Sequence, residues 1–398
     1  MKALSGYRML DLTHIVSGPY AGMMLADLGV ETIKIEPLGR GEATRQLLAN
    51  DPQHSHQGMG AYFLTLNRNK KSMTLDLKQS AGRQIFYDLV RHADIVLNNF
   101  SAGVMTRLQL DYDHLAAVNP RIVTCTITGF GESGPKRDRP AFDMVAQAMS
   151  GGMSVTGQLG GPPTRAGLLV GDLGGGLMGV IGILAALLAR QQTGLGQHVD
   201  ISMLDGQISM LTYMATMQLL SGTLPPMVGN EHLNHVPYNA YPTQDGYLIL
   251  TIIADESWAA LMSVVDVPEL DSEENRSRAG RLQNRVEING RLATLFQTNR
   301  RDYWLERLTA VRVPCAPVNN LAEALTDEQV LARNMVVEVE HLAGGTFKIP
   351  GNPIKLSRTH EETFAPPPSL GQHTDEILRT LLGKSEADIA QLRQDGVV

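Results

Sequence analysis

Asp172 is the carboxylate whose surroundings invite chemistry. It follows Gly171 and precedes 17 residues, 173–189, that carry no charge and include five glycines. The run reads as a helix that Asp172 begins, hydrophobic all round because it is buried all round. A carboxylate at the mouth of a helix is either an N-cap, accepting from the first free backbone N–H groups, or a reacting group. Gly174, Gly175 and Gly176 tilt the choice. Glycines in a first turn cost about 1 kcal/mol each relative to alanine. A cap does not require them, whereas a carboxylate that a bulky substrate approaches along the backbone does. The run falls short of the roughly 20 residues that span a bilayer. Its flanks are those of a soluble globular chain, so a core helix is expected and no membrane partner.

Cations form the second group. Asn67-Arg-Asn-Lys-Lys71 with Lys78, then Arg107, then Lys136-Arg137 with Arg139, are spread through the first 140 residues. Taken singly, each is what a solvated face looks like. Around one crevice, beside Phe100 and Leu75, they suit a phosphorylated cofactor. Nucleic acid is not expected, because aromatics make up 5% of the chain and do not interleave with the basic residues.

The elements that must hold these groups alternate. Strands are expected at Tyr7–Leu12, Val30–Ile35, Ala93–Leu97, Arg121–Thr128 and Gln197–Met203, with helices at Tyr20–Leu28, Ser80–His92, Ala141–Gly151 and Leu204–Leu220. Strand–helix–strand alternation predicts a parallel sheet with helices on its faces. In such sheets ligands sit at the carboxyl ends of the strands, which puts residues 13–18, 98–101 and 128–131 around one crevice. Ser221–Pro242 carries Pro225, Pro226 and Pro237 and reads as a linker. A second domain follows, with a strand at Tyr247–Ile253 and helices at Glu256–Val265, Arg281–Gln297 and Arg301–Val311. Leu321–Arg333 reads as a helix leading back out. The expected domains are 1–224, 225–330 and a C-terminal return, 331–398, to the first.

Composition and motifs exclude several classes. Hydrophobic residues make up 43% and charged ones 19% of 398 residues, as in a soluble globular protein of two domains, or of one large domain with a satellite. The net charge of −7 draws in no polyanion. Cys125 and Cys315, the two cysteines, are far apart and lack a histidine pattern, so no metal site is expected and a reducing cytoplasm suits them. The N-terminus has no apolar secretion segment. Gly129-Phe-Gly-Glu-Ser-Gly134 matches G-x-G-x-x-G and follows a strand. A dinucleotide fingerprint must open a helix, but Pro135–Pro140 follows here, so the segment is a turn.

At this point the chain resembles the class III CoA-transferases, the family of the formyl-CoA:oxalate and carnitine enzymes. The resemblance rests on the opening Gly6-Tyr-Arg-Met-Leu-Asp-Leu-Thr-His-Ile-Val-Ser-Gly-Pro-Tyr-Ala21, on Val30–Pro37, Asn67–Ser72, Ala93–Phe100, Asn119–Arg121 and Gly129–Gly131. It continues through Val145–Ala148, Gly196–Met203, Arg312–Val318 and Pro350–Lys355, in the family's order. It implies an α/β fold: a large Rossmann-like domain with a parallel sheet, built from both chain ends, a smaller α/β domain, and an interlocked homodimer. It implies a catalytic Asp172 and coenzyme A contacts at Val16, Ser17, Leu75, Lys78, Asn99, Phe100, Ser101, Arg107, Arg139 and Phe142. Coenzyme A would be a substrate, with no tightly bound cofactor. Val16 stands where the formyl-CoA enzymes have glutamine and Pro37 where they have arginine. Gly229–Leu233 occupies the place of their glycine-rich lid.

The expected reaction moves CoA from an acyl-CoA donor to a small carboxylic acid, such as oxalate, succinate or another C4–C5 acid, through an aspartyl-CoA thioester on Asp172. Each step passes through an oxyanion, for which Gly174–Gly176 or the Gly229 loop are candidate donors. α-Methylacyl-CoA racemisation is the alternative on a similar fold. It needs a histidine where Phe142 stands, and a phenyl ring moves no proton. A CoA-binding protein without catalysis is a third reading, against which an intact Asp172 argues.

Overall fold

The computed structural model describes residues 1–341, 343–359 and 362–398. It divides the chain into two units. The larger contains Met1–Gly152, Arg165–Leu220 and Gln329–Val398, and the smaller Met153–Thr164 and Ser221–Glu328. The segment 153–164, assigned from sequence to the first domain, therefore belongs with the smaller unit.

The larger unit is built on a six-stranded sheet. Its strands are β1 (Arg8–Asp11), β2 (Glu31–Glu36), β3 (Lys70–Thr74), β4 (Ile95–Asn98), β5 (Val123–Thr128) and β6 (His198–Ser202). They lie in the order β3-β2-β1-β4-β5-β6 and every pairing is parallel. This is the doubly wound order of dinucleotide-binding folds, with its switch point between β1 and β4. Side chains alternate between the faces. Leu10, Ile33, Met73 and Val96 pack on one side against Ile85, Phe86 and Leu89 of α2 (Ser80–Val90). Ile377 and Ile389, from C-terminal helices at Thr374–Thr380 and Glu386–Gln394, join them, so the chain end does complete this unit. Met9, Ile95, Leu97, Cys125 and Ile127 face the other way. They pack against α1 (Ser17–Asp27) and the long helix α5 (Val170–Thr193), between which lie α3 (Tyr112–Val118) and α4 (Asp143–Met149) in sequence.

The basic stretch 67–71 turns out to be neither a solvated face nor a phosphate site. Lys70 is buried on β3 and donates to Asp11 at 2.9 Å, and Arg68 is buried against Asp27 at 2.7 Å. Lys71, on the opposite face of the strand, pairs with Glu31 and Glu376 at 3.1 and 2.9 Å. Two adjacent lysines hid an edge strand whose alternation is cation inward, cation outward. Lys70 and Lys34 hold the Asp11 carboxyl down to about 2 against the opposing effect of its burial.

Helix α5 also differs from expectation. It starts two residues before Asp172 and runs 24 residues. By length and composition it is apolar enough to cross a membrane. Here it packs on α1, on β5 and β6, and on α6 (Met203–Met210), and Arg190 near its end donates to the Arg121 carbonyl at 2.8 Å and Asp94 at 2.9 Å. It is not buried all round: Leu177, Ile181 and Leu188 are 40%, 60% and 62% exposed along one stripe. Its glycines serve packing. A Cβ at Gly176 would lie 2.7 Å from the Ser17 carbonyl oxygen, and one at Gly174 would lie 2.6 Å from the methyl of Met210. Neighbouring elements, rather than a substrate, come close to this backbone. The expected helix Leu204–Leu220 breaks at Thr212, whose φ is +49°, into α6 and α7 (Tyr213–Ser221).

The smaller unit has an antiparallel three-stranded sheet in the order β9-β8-β7, made of β7 (Tyr238–Thr243), β8 (Gly246–Thr251) and β9 (Cys315–Pro317). Its core joins Tyr241, Leu248 and Leu250 to Trp258, Ile288, Leu292, Phe296 and Trp304. Strand β7 lies in what reads from sequence as a linker, because Pro237 and Pro242 flank and enter it. An edge strand tolerates proline, since one side of it needs no ladder bond.

Candidate active site

The switch point between β1 and β4 opens into a cleft. Both strands end in polar residues, and the loops beyond them are tied by one side chain. Asn99 accepts from the His14 N–H at 2.8 Å and donates to the His14 carbonyl at 2.8 Å. The next residue, Ile15, has a φ of +67°, an unfavourable conformation for a β-branched residue. That turn brings Val16 and Ser17, at the start of α1, to the cleft wall. Val16, Ser17, Asn99, Phe100, Ser101, Arg139, Phe142 and Asp172 line one cavity of about 220 Å³. Leu75, Lys78, Phe100 and Arg107 line another of about 330 Å³. His14 and Phe100 stand in both, their rings 5.1 Å apart. All eleven residues singled out from sequence thus fall in two cavities with a common wall.

Asp172 is not the cap of α5. It is the third helical residue, and the flanking residue, Leu169, offers no side chain to the helix end. The free N–H groups of Gly171 and Asp172 go instead to Asp143 Oδ1, at 2.7 and 3.3 Å. With its helix capped from elsewhere, the Asp172 carboxylate accepts no hydrogen bond among the described residues. Burial, and secondarily the charge of Asp143, push it from the usual 3.8 up to about 6. The helix N-terminus favours a charged carboxylate, but that effect does not offset desolvation here. A half-buried, unbonded, more basic carboxylate has the properties of a nucleophile.

The expected oxyanion donors are otherwise engaged. Gly174, Gly175 and Gly176 lie inside α5, where their N–H groups serve the helix ladder. The Gly229 N–H donates to the Gly157 carbonyl at 2.8 Å. The start of α1, in contrast, has no side-chain cap and opens on the cavity of Asp172.

Most of the cations divide in two, while Arg137 both lines the cavity and pairs with Asp138 at 3.4 Å. Arg68, Lys70 and Lys71 have acidic partners. Lys78, Arg107 and Arg139 are exposed at the cavity rims and form no ion pair among the described residues. Charges left unpaired around a cleft suit an anionic ligand. His14 and Arg137, from the expected crevice stretch 13–18 and the basic cluster 136–139, also line the cavity. One participant escaped the sequence reading: Asp143 holds the helix of Asp172. Asp143 follows Phe142 at a helix start, a position whose acidic residue suggests a local cap; that it caps a different helix is not written in the sequence. Among the described residues no group of three or more His, Cys, Asp or Glu side chains is placed to hold a metal.

A model of CoA-transferase family III matches residues 4–374. The chain belongs to this family. It is 36% identical over its whole length to the succinyl-CoA:glutarate CoA-transferase of Mus musculus, covering 91% of that protein. It is 38% identical to the acetyl-CoA:oxalate CoA-transferase of Acetobacter aceti over 91% of the chain and 92% of that protein. A solved structure of a CAIB/BAIF family protein from Brucella suis superposes with a TM-score of 0.86 at 33% identity, covering 96% of this chain and 99% of the other. The protein is therefore an acyl-CoA:carboxylate CoA-transferase, and acyl-CoA is its substrate. Racemisation loses its footing: Phe142 is 70% exposed at the cavity mouth and carries no proton.

Proposed function

We propose that the transferase works through Asp172. Its carboxylate attacks the donor thioester carbonyl, the C–S bond breaks, and CoA leaves as thiolate from an acyl-aspartyl anhydride. The thiolate attacks the aspartyl carbonyl and displaces the donor acid, leaving an aspartyl-CoA thioester. The acceptor carboxylate attacks that thioester and expels CoA thiolate. The thiolate then takes the acceptor acyl group from the new anhydride, which frees Asp172. The unbonded, half-buried Asp172 carboxylate, in a cavity that Arg137 and Arg139 also line, is the observation that carries this reading. We assign oxyanion stabilisation to the uncapped start of α1.

The two cavities that share His14 and Phe100 are the proposed CoA site. Leu75 and Phe100 offer the apolar wall, and Lys78, Arg107 and Arg139 the phosphate contacts. Relatives are named for succinyl-CoA with glutarate, mesaconate or D-citramalate and for acetyl-CoA with oxalate. A small dicarboxylate is accordingly the acceptor proposed here. The protein acts as a homodimer in this reading. The stripe Leu177, Ile181 and Leu188, with α7, which has no buried residue and no charge, is an apolar surface that a second copy would cover. Two free thiols suit a cytoplasmic location.

The test is chemical. The enzyme is incubated with succinyl-CoA in the absence of an acceptor, quenched with hydroxylamine and digested. Hydroxylamine converts an activated aspartyl carbonyl to a hydroxamate, so the peptide containing Asp172 should gain that mass. An unmodified Asp172 peptide, from enzyme shown to turn over succinyl-CoA with one acceptor of a dicarboxylate panel, refutes the nucleophile.

A further inference from the structure

Asp143 takes the place that a cap of α5 would fill, but it reaches there from α4. Its carboxylate is buried, 5% exposed. Oδ1 accepts from the N–H groups of Gly171 and Asp172, and Oδ2 accepts from Gln147 Nε2 at 2.7 Å. Gln147 in turn accepts the Ala166 N–H on Oε1 at 2.9 Å. Two side chains of one short helix therefore hold the whole approach to the nucleophile, residues 166–172. The fit is close. A Cβ on Gly171 would lie 3.0 Å from Asp143 Oδ1 and 2.8 Å from Gln207 Nε2. A bare Cα at 171 is what lets the carboxylate reach the helix end.

We propose that Asp143 is a positioning residue for CoA transfer: it caps the catalytic helix in place of Asp172 and places its own carboxylate beside it, so that Asp172 stays unbonded and free to attack a thioester. The proposal rests on the reading of Asp172 as the nucleophile. Asp143 itself does not line the cavity and acts through its neighbour. Without it, the free N–H groups at the start of α5 would draw on the nearest carboxylate, which is that of Asp172. A carboxylate so engaged is both turned from the cavity and made less basic.

Other charged groups near Asp172 do not serve the same end. His14, ahead of α1, and Arg137 and Arg139, ahead of α4, stand around the cavity and favour an ionised carboxylate when charged. On α1, Tyr20 is kept protonated by burial. On α6, Asp205 is exposed and its N–H is capped by Ser202, while Gln207 is neutral. Asp200 and His198 of β6 are engaged with the Glu132 N–H and carboxylate. After burial, Asp143 is the influence that opposes ionisation of Asp172.

Two variants test this. Asp143→Asn keeps an acceptor for the helix end and removes the charge, but turns a donor toward Gln147. Asp143→Asn with Gln147→Glu restores an acceptor opposite the new donor and moves the charge four residues along α4. The pH profile of kcat/KM with succinyl-CoA is measured for both, beside Asp172→Asn. The expected result is an acid limb displaced to lower pH by about half a unit or more in D143N. Activity at pH 5 relative to the variant's own plateau should rise several-fold, while the plateau itself falls. KM for acyl-CoA should stay within about twofold, as expected for a change in the reacting group rather than in binding. The double variant should recover plateau activity and show a limb between those of D143N and wild type. A folded D143N or double variant whose acid limb coincides with wild type overturns the proposal, as does failure of both variants to fold. Activity retained by D172N would instead overturn the nucleophile reading, which separates the two failures.

Discussion

Replacing Asp172 by asparagine should abolish transfer and make the protein more stable. The gain follows from the environment of the carboxylate. Its value rises from 3.8 to about 6 on folding, a shift of about 2 units, or about 3 kcal/mol at ~1.36 kcal/mol per unit. Partial contact with solvent in the cleft reduces this, and about 1.5–2 kcal/mol is a fair expectation. The sign follows from linkage. A carboxyl whose folded value is raised binds its proton more tightly in the native state. Its unfavourable contribution is absent below the unfolded value near 4, grows between about 4 and 6, and is complete above 6. A neutral amide escapes it. Asparagine should therefore raise the melting temperature by a few degrees at pH 8, by about half as much at pH 5, and by nothing near pH 4. Since Asp143 rather than Asp172 caps α5, no cap energy is lost to offset the gain. Thermal unfolding followed by circular dichroism across that pH range, with transfer assayed in parallel, measures both effects. A destabilised D172N, or one whose advantage does not depend on pH, would refute the reasoning about burial. Full activity without deamidation would refute the nucleophile.

Arg107→Ala should weaken coenzyme A binding roughly 1.4- to fivefold at low salt, the range for an exposed ion pair worth about 0.2–1 kcal/mol. The deficit should fade at high ionic strength in titration calorimetry, and unchanged affinity at low salt would remove Arg107 from the site. Ile181→Lys places a charge in the exposed stripe of α5. Sedimentation should show wild type as a dimer at low micromolar concentration and the variant as monomer or aggregate, whereas a monodisperse wild-type monomer would leave the stripe without its proposed cover.

Much of this protein was legible in one dimension. Strands β1 and β4 carry short apolar runs, β2, β5 and β6 alternate apolar with polar residues, and alternation of strands with helices dictates a parallel sheet. The order of motifs from Gly6–Ala21 to Pro350–Lys355 pointed to the family, and Asp172 followed from that order. The turn after β5 was separable from a dinucleotide loop because Pro135–Pro140 forbids a helix there, and the first helix beyond it starts at Asp143.

Tertiary structure decided what local chemistry leaves undetermined. The same residue types in 67–71 serve a cofactor, a wet surface or a buried ladder depending on what lies opposite. Only the pairing of β3 with β2, which sets Lys70 over Asp11, selects the ladder. The glycines of α5 read equally well as room for substrate or for neighbours, and the approach of Ser17 and Met210 settles the matter. An N-cap is ordinarily a local motif, four residues long, so a carboxylate at a helix start is assigned to its own helix. Here the donors of α5 are met by a carboxylate 28 residues away in sequence, and burial beside that charge makes Asp172 basic. Sequence determined which carboxylate was present at the start of the helix; the packing of α4 against α5 decided that it was left free to react.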